Sequence, residues 1–212
     1  MHIHSLNIGL PKDFLYEGRM VSTGIFKYPT DDILSVKNTQ IDGDGQADLK
    51  NHGGVNKAVY AYPLEHYDYW HQLLGTEPET GAFGENLTTQ GLLETGVHIG
   101  DQFAIGTTVM MAVQPRMPCY KLNIRFNNDS ILKSFLHARK FGIYFKVIQE
   151  GHIKKNDTIT LLEKSEWPIT IQQVTDNYVS PEKDYDQIRM IVDIPYLPER
   201  LKNDFTRMLK NR

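Results

Sequence analysis

Apolar and polar positions alternate with a short period through most of the chain. Ile3, Ser5, Asn7 and Gly9 alternate weakly with His4, Leu6 and Ile8, and Met20 to Tyr28 forms a second strand-like run closed by Pro29. Gln40 to Val55 carries too many glycines and aspartates for a regular element and predicts a long loop. Beyond it, Ala58 to Tyr62 reads as a strand. Leu64, Tyr67, His71 and Leu74 then fall at i, i+3, i+7 and i+10, with Pro63 before them and Gly75 after, the pattern of a one-sided helix. Val97–Ile99 and Phe103–Ile105 predict two strands around a Gly100-Asp101 turn. Val109, Met111 and Val113 alternate with Met110, Ala112 and Gln114 in a half-buried strand that runs into Pro115, Arg116 and Cys119. Ser130 to Ala138 predicts a short helix, Ile143 to Val147 a strand, and Ile153 to Leu162 a last one with its turn at Asn156-Asp157.

About nine short strands with two helices and no regular βαβ alternation predict a mainly β barrel or sandwich over residues 1–165. Residues 166–212 differ. Leu197, Leu201, Phe205, Met208 and Leu209 recur at helical spacing behind Pro198, so this tail is expected to be a small helical appendage packed on the β part.

Composition narrows the function. With 40% hydrophobic and 23% charged residues the chain is an ordinary globular protein. No stretch has the ~18 consecutive apolar residues of a membrane helix, and MHIHSLNIGLPKDF lacks a leader's basic and apolar regions, so a cytoplasmic protein without a membrane partner is expected. A net charge of −3 does not point to nucleic acid. Its distribution is uneven: Ala58 to Pro115 holds seven acids and no Lys or Arg, whereas Gln114 to Lys146 holds seven bases against Asp129 alone. Such a run is either a solvated face or the lining of a site for an anionic ligand.

Cys119 is the single cysteine and lies inside the basic run, in Gln114-Pro115-Arg116-Met117-Pro118-Cys119-Tyr120-Lys121-Leu122. Two prolines stiffen the approach to the sulfur, and Arg116 and Lys121 flank it with charge, which favours the thiolate form that ligates metals or attacks electrophiles; the other reading is an inert core cysteine. His52-Gly53-Gly54 with Lys57 after it reads either as an anion-holding nest or as a tight structural turn. Asp42, Asp44, Gln46 and Asp48 mimic the start of a calcium loop, but Ala47 stands where that loop bends at Gly and Gly53 where it needs a bidentate Glu. Asp44 and Asp48 are expected to hold the loop through hydrogen bonds. No histidine pair has metal spacing, and neither GxSxG nor a nucleotide-binding glycine loop is present.

Five motifs in order, GDGQADLKNHGGVNKAVYAYP (43–63), FGENLTTQGL (83–92), HIGDQFAIG (98–106), QPRMPCYKL (114–122) and GIYFKVIQEGHIKKNDTITLLE (142–163), resemble a MOSC domain, the module named from the C-terminal part of molybdenum-cofactor sulfurase, and within it the stand-alone bacterial YiiM-type subgroup. The resemblance implies a β-barrel core carrying a molybdenum cofactor (molybdopterin) whose metal is held by the pterin dithiolene and one cysteine, here Cys119. It implies two-electron reduction of N-hydroxylated compounds such as hydroxylaminopurines and amidoximes, and a cofactor pocket lined by His52, Gly53, Gly54, Lys57, Asn86, Arg116 and Lys121. The family is associated more loosely with pyridoxal phosphate. With no cysteine cluster and no flavin fingerprint in the chain, electrons are expected from a separate reductase. A persulfide-carrying sulfur transferase using Cys119, or a molybdopterin carrier without turnover, are the alternatives, in a monomer or a homodimer.

Overall fold

The structure, a computed structural model, describes residues 1–48 and 53–211. Twelve strands are described: β1 (His2–Ile8), β2 (Lys12–Tyr16), β3 (Arg19–Thr23), β4 (Tyr28–Thr30), β5 (Leu34–Val36), β6 (Val59–Pro63), β7 (Leu87–Gln90), β8 (Gln102–Ile105), β9 (Thr108–Pro115), β10 (Ile143–Gln149), β11 (Gly151–Ile153) and β12 (Ile159–Glu163). The helices are α1 (Tyr67–Leu74), α2 (Lys121–Phe126), α3 (Ile131–Ala138), α4 (Ile171–Val179), α5 (Tyr185–Asp193) and α6 (Glu199–Lys210).

Eight strands form one sheet in the order β12-β8-β9-β10-β6-β7-β1-β4, and β2-β3 and β5-β11 pair separately. All pairs in the large sheet are antiparallel except β6 with β7, whose connection carries α1. Every residue of β6 is buried, as expected of a strand covered on both faces. Val59 and Ala61 enter one hydrophobic cluster, while Tyr60 and Tyr62 enter a second, aromatic one with Trp70, Phe83, Phe135 and Phe141. The period of two along β6 thus joins two cores through one strand.

The architecture is sheet-rich and mixed, with several helices. A closed barrel is not detected. The start of β1 meets the turn before β12 through three backbone hydrogen bonds, Ile3 N–H to Asp157 O (3.0 Å), Asn156 N–H to Ile3 O (2.9 Å) and Ile159 N–H to Met1 O (2.9 Å). Only a single bridge, His2 with Thr158, results, and among the described residues no ladder joins the sheet's two ends.

The helix expected after Pro63 forms as a short 3-10 turn, Leu64–His66, followed by α1, and ends at Gly75 in the left-handed region (φ 71°). Val97–Ile99 is not a strand: His98 makes one bridge with Thr170, and buried Asp101 instead accepts from the His98 and Ser165 backbone N–H groups (2.9 and 2.8 Å). Residues 153–162 split, because β11 pairs with β5 and β12 with β8. The tail folds as three helices, the first opened by a capping box in which Thr170 and Gln173 satisfy each other's backbone N–H. These helices send Ile171, Val174, Ile188, Ile191, Leu201 and Phe205 into the cluster that holds Ile3, Phe103 and Phe145.

Candidate functional site

β9 carries the chain through Pro115 to Arg116, whose N–H donates to Gly142 O at 3.4 Å. Met117 to Cys119 follows without regular structure, and Leu122 N–H donates to Cys119 O (3.0 Å) as α2 begins. The helix that begins two residues after the cysteine turns Arg125 onto the Phe26 ring at 5.2 Å, beside a different hollow. Cys119 is half-buried at the junction of two connected spaces. An inner recess of about 70 Å³ is lined by Lys27, Asp44, Lys57, Tyr60, Asn86, Arg116, Cys119, Lys121 and Tyr144 among others. An outer cleft of about 810 Å³, within the range of small-molecule and cofactor sites, shares Lys57, Cys119, Lys121 and Tyr144 and adds Gly53, Gly54 and residues of β3 and α6.

One wall of the recess is a saturated network. Asp44 accepts from the Gly9 N–H (3.0 Å), from Asn86 Nδ2 (2.9 Å) and from the Lys27 ammonium in a buried ion pair. Asn86 Oδ1 in turn accepts from Tyr60 N–H (3.1 Å). Burial pushes the Lys27 ammonium below its usual range, and Asp44 opposes that loss of charge. Gly24 lets this wall close: a Cβ there would lie 2.2 Å from Gly45 O, in the loop that carries Asp44.

The other wall leaves one buried donor unmet. Arg116 is 5% exposed, its guanidinium lies 5.7 Å from the Tyr60 ring centroid and 5.8 Å from that of Phe135, and its Nη1 has no hydrogen-bond partner. Burial disfavours its charge, but Tyr60, Cys119 and Tyr144 outweigh that and raise its proton affinity. Burial raises Tyr144, partly offset by Arg116. Burial and then Arg200 lower Lys57. Gly54 adopts φ 91°, which glycine alone takes without strain, where the loop enters the cleft.

Of the residues implicated by sequence, Gly53, Gly54, Lys57, Asn86, Arg116, Cys119 and Lys121 therefore converge on one continuous hollow. His52 lies outside the described residues. Asn86 spends its amide on Asp44 and the Tyr60 backbone and acts as a brace. Sequence reasoning missed Lys27, Tyr144 and the wall made by Tyr178, Arg200 and Asp204. Lys27 had a signal, a lone lysine in an apolar run before Pro29; the tail residues had none beyond helical period. Asp44, which would be a ligand in a calcium loop, is committed to Lys27, and among the described residues no group of three His, Cys, Asp or Glu is placed to hold a metal ion by itself. Among the same residues no helix is long and apolar enough to cross a membrane.

A half-buried thiol thus stands between two adjoining spaces beside Lys57, Arg116 and Lys121, and the family model of the MOSC domain matches residues 48–160. The chain belongs to the MOSC domain family. Within it the chain is of the YiiM type: the crystal structure of YiiM from Geobacillus stearothermophilus superposes with a TM-score of 0.82 at 32% identity, covering 98% of each chain. It is also 40% identical over 168 residues to the uncharacterized protein YflK of Bacillus subtilis, covering 79% of this chain and 76% of that one. A third relative, a protein of Gibberella moniliformis named "Reductase", is 36% identical over 151 residues, 69% of this chain but 27% of its own.

Proposed function

We propose that this protein is a molybdenum-cofactor-dependent reductase that converts N-hydroxylated compounds, hydroxylaminopurines and amidoximes, to the amine and water. The observation that carries the reading is the unpartnered, buried Arg116 Nη1 beside half-buried Cys119, a soft sulfur next to an unsatisfied anion donor. These residues fit a molybdopterin: Cys119 would ligate the metal, while Arg116, Lys121 and Lys57 would hold the phosphate, with Gly53 and Gly54 giving it backbone access. When bound, the group supplies the two-electron redox chemistry. The chain's own part is to fix the sulfur at the cleft floor, to present fixed positive charge and to narrow the approach with Tyr120, Tyr144 and Met117. The net reaction consumes two electrons and two protons per N–OH bond broken, the electrons coming from a separate reductase. The relative named for reductase activity, in which this region is a quarter of a longer chain, agrees with that division of labour.

The test is molybdenum content by elemental analysis of wild type and Cys119→Ala from a host that makes the cofactor, followed by N-hydroxy reduction with a chemical donor. Near-stoichiometric metal in wild type and none in the variant is the expected result. A wild type without metal, even after incubation with free cofactor, would overturn the reading.

A further inference from the structure

The β2–β3 hairpin stands apart from the large sheet: among the described residues it pairs with no other strand. Glu17 and Gly18 at its tip both have positive φ (48° and 74°), the two-residue turn whose twist matches that of the strands, so the hairpin is stiff within itself. Its feet are packed. Gly9 before β2 and Gly24 after β3 lie so close to the Phe26 and Gly45 carbonyl oxygens that neither could carry a Cβ, and the Phe14 ring stacks on Phe26 at 4.2 Å. The tip is tied down through Tyr16. Its hydroxyl donates to exposed Asp129 Oδ1 at 3.0 Å, Asn123 of α2 reaches the same hydroxyl, and its ring stacks on that of Tyr120, the residue after Cys119, at 6.0 Å. β3 meanwhile walls both spaces around that sulfur, with Met20, Val21 and Ser22 along the outer cleft and Thr23 and Gly24 along the recess. Met20 and its cross-strand neighbour Leu15 are 66% and 72% exposed, so this end of a two-stranded ribbon buries little that would hold it down.

We infer that the β2–β3 hairpin is a gate over the cleft of Cys119, swinging above its packed feet and latched by Tyr16 on Asp129 and Tyr120. The latch is one solvent-exposed hydrogen bond and one ring stack, a hold small enough for the open form to be visited without unfolding the protein. Because the ladder and its tight turn stay intact, opening carries Met20, Val21 and Ser22 away from the cleft together. Bulky molecules reach the sulfur through the open form, whereas small ones also reach it past the closed hairpin. The gate governs access to Cys119 whatever reacts there, so it does not rest on the function proposed above.

The full chain has one thiol, so in the metal-free protein its reaction with thiol reagents reports the gate directly. Rates are compared at one pH for a bulky aromatic disulfide, dithiobis-nitrobenzoate, and for small methyl methanethiosulfonate; both react with the same sulfur, and their ratio cancels its protonation. Tyr16 lines neither space, so its substitution leaves the walls of the path unchanged. Tyr16→Phe keeps the ring and loses the hydroxyl, and is expected to speed the bulky reagent about fivefold, the factor that one net hydrogen bond is worth; Tyr16→Ala should speed it further. The small reagent should stay within about twofold of wild type in both variants, since it does not depend on opening. A wild-type rate for the bulky reagent in Tyr16→Ala, or equal acceleration of both reagents, would overturn the gate. Hydrogen exchange separates swinging from melting. The amides of the β2–β3 ladder should keep wild-type protection in Tyr16→Phe, and a loss of protection matching the gain in thiol rate would also sink the inference.

Discussion

The two walls of the recess are built from the same kinds of residue and are opposite in state. On one, Lys27, Asp44 and Asn86 give each polar group a protein partner. On the other, Arg116 is as deeply buried as Lys27, yet its Nη1 is left without one. A saturated network holds a loop in place, whereas an orphaned donor at similar depth is tolerated where something outside the chain completes it. Burial alone therefore does not mark a functional residue; Thr89, Arg125 and Trp167 also bury a polar atom without a partner, and what distinguishes Arg116 is that its orphaned donor lies in the recess with Cys119.

Substitutions that separate stability from ligand binding would break this contrast. The largest stability effect is expected for Asp44→Ala, which leaves the Lys27 ammonium buried and unpaired and should cost about 3–5 kcal/mol in denaturant unfolding. Next is Asn86→Ala, which removes the brace between Asp44 and the Tyr60 N–H; about 1–3 kcal/mol is expected from the donor left unmet. A milder effect is acid-dependent. Burial pushes the Glu94 carboxyl up, but the hydrogen bond and charge of His66 outweigh it, so its net displacement is downward. A folded value below the unfolded one, near 4.3, contributes stability that is complete above that pH and lost as pH falls through the folded value. Glu94→Gln should flatten the acid limb of the stability profile. The smallest stability effect is expected on the wall with the unmet donor: Arg116→Met should stay within about 1 kcal/mol, because an apolar side chain of similar length replaces a buried charge that forms no ion pair among the described residues. Under the function proposed above, the same variant should take up less molybdenum than wild type. If Arg116→Met unfolds as readily as Asp44→Ala, the two walls do not differ in kind.

Local pattern carried part of this structure. The stripe of Leu64, Tyr67, His71 and Leu74 with its glycine stop located α1, and alternation located β9 and β10, because both read only neighbours within one element. The site was legible where its residues lie in motifs of recognisable order, around Gly53, Asn86, Arg116 and Cys119. It was illegible where partners come from separate loops or elements: nothing near Lys27 indicates Asp44, and nothing near Lys57 indicates that Arg200 of the tail lines the same cleft. The helix after Cys119 was hidden by its brevity, six residues with polar and apolar positions too few to show a period. The ends of the large sheet were equally hidden, because the Ile3–Asp157 contact joins the beginning of the chain to nearly its last strand.

That placement of the first strand sets an order of events during synthesis. β1 leaves the ribosome before the strands it pairs with: one flank must wait for β7 at residues 87–90, and its other sheet neighbour is the three-residue β4. Until then a strand with the apolar residues Ile3, Leu6 and Ile8 is half-paired, and such open edges recruit the wrong partners in slow-folding, non-local topologies. Yield in the cell should accordingly depend on how quickly translation passes residue 90, and slowing it before that point should increase aggregation without changing any contact of the finished fold.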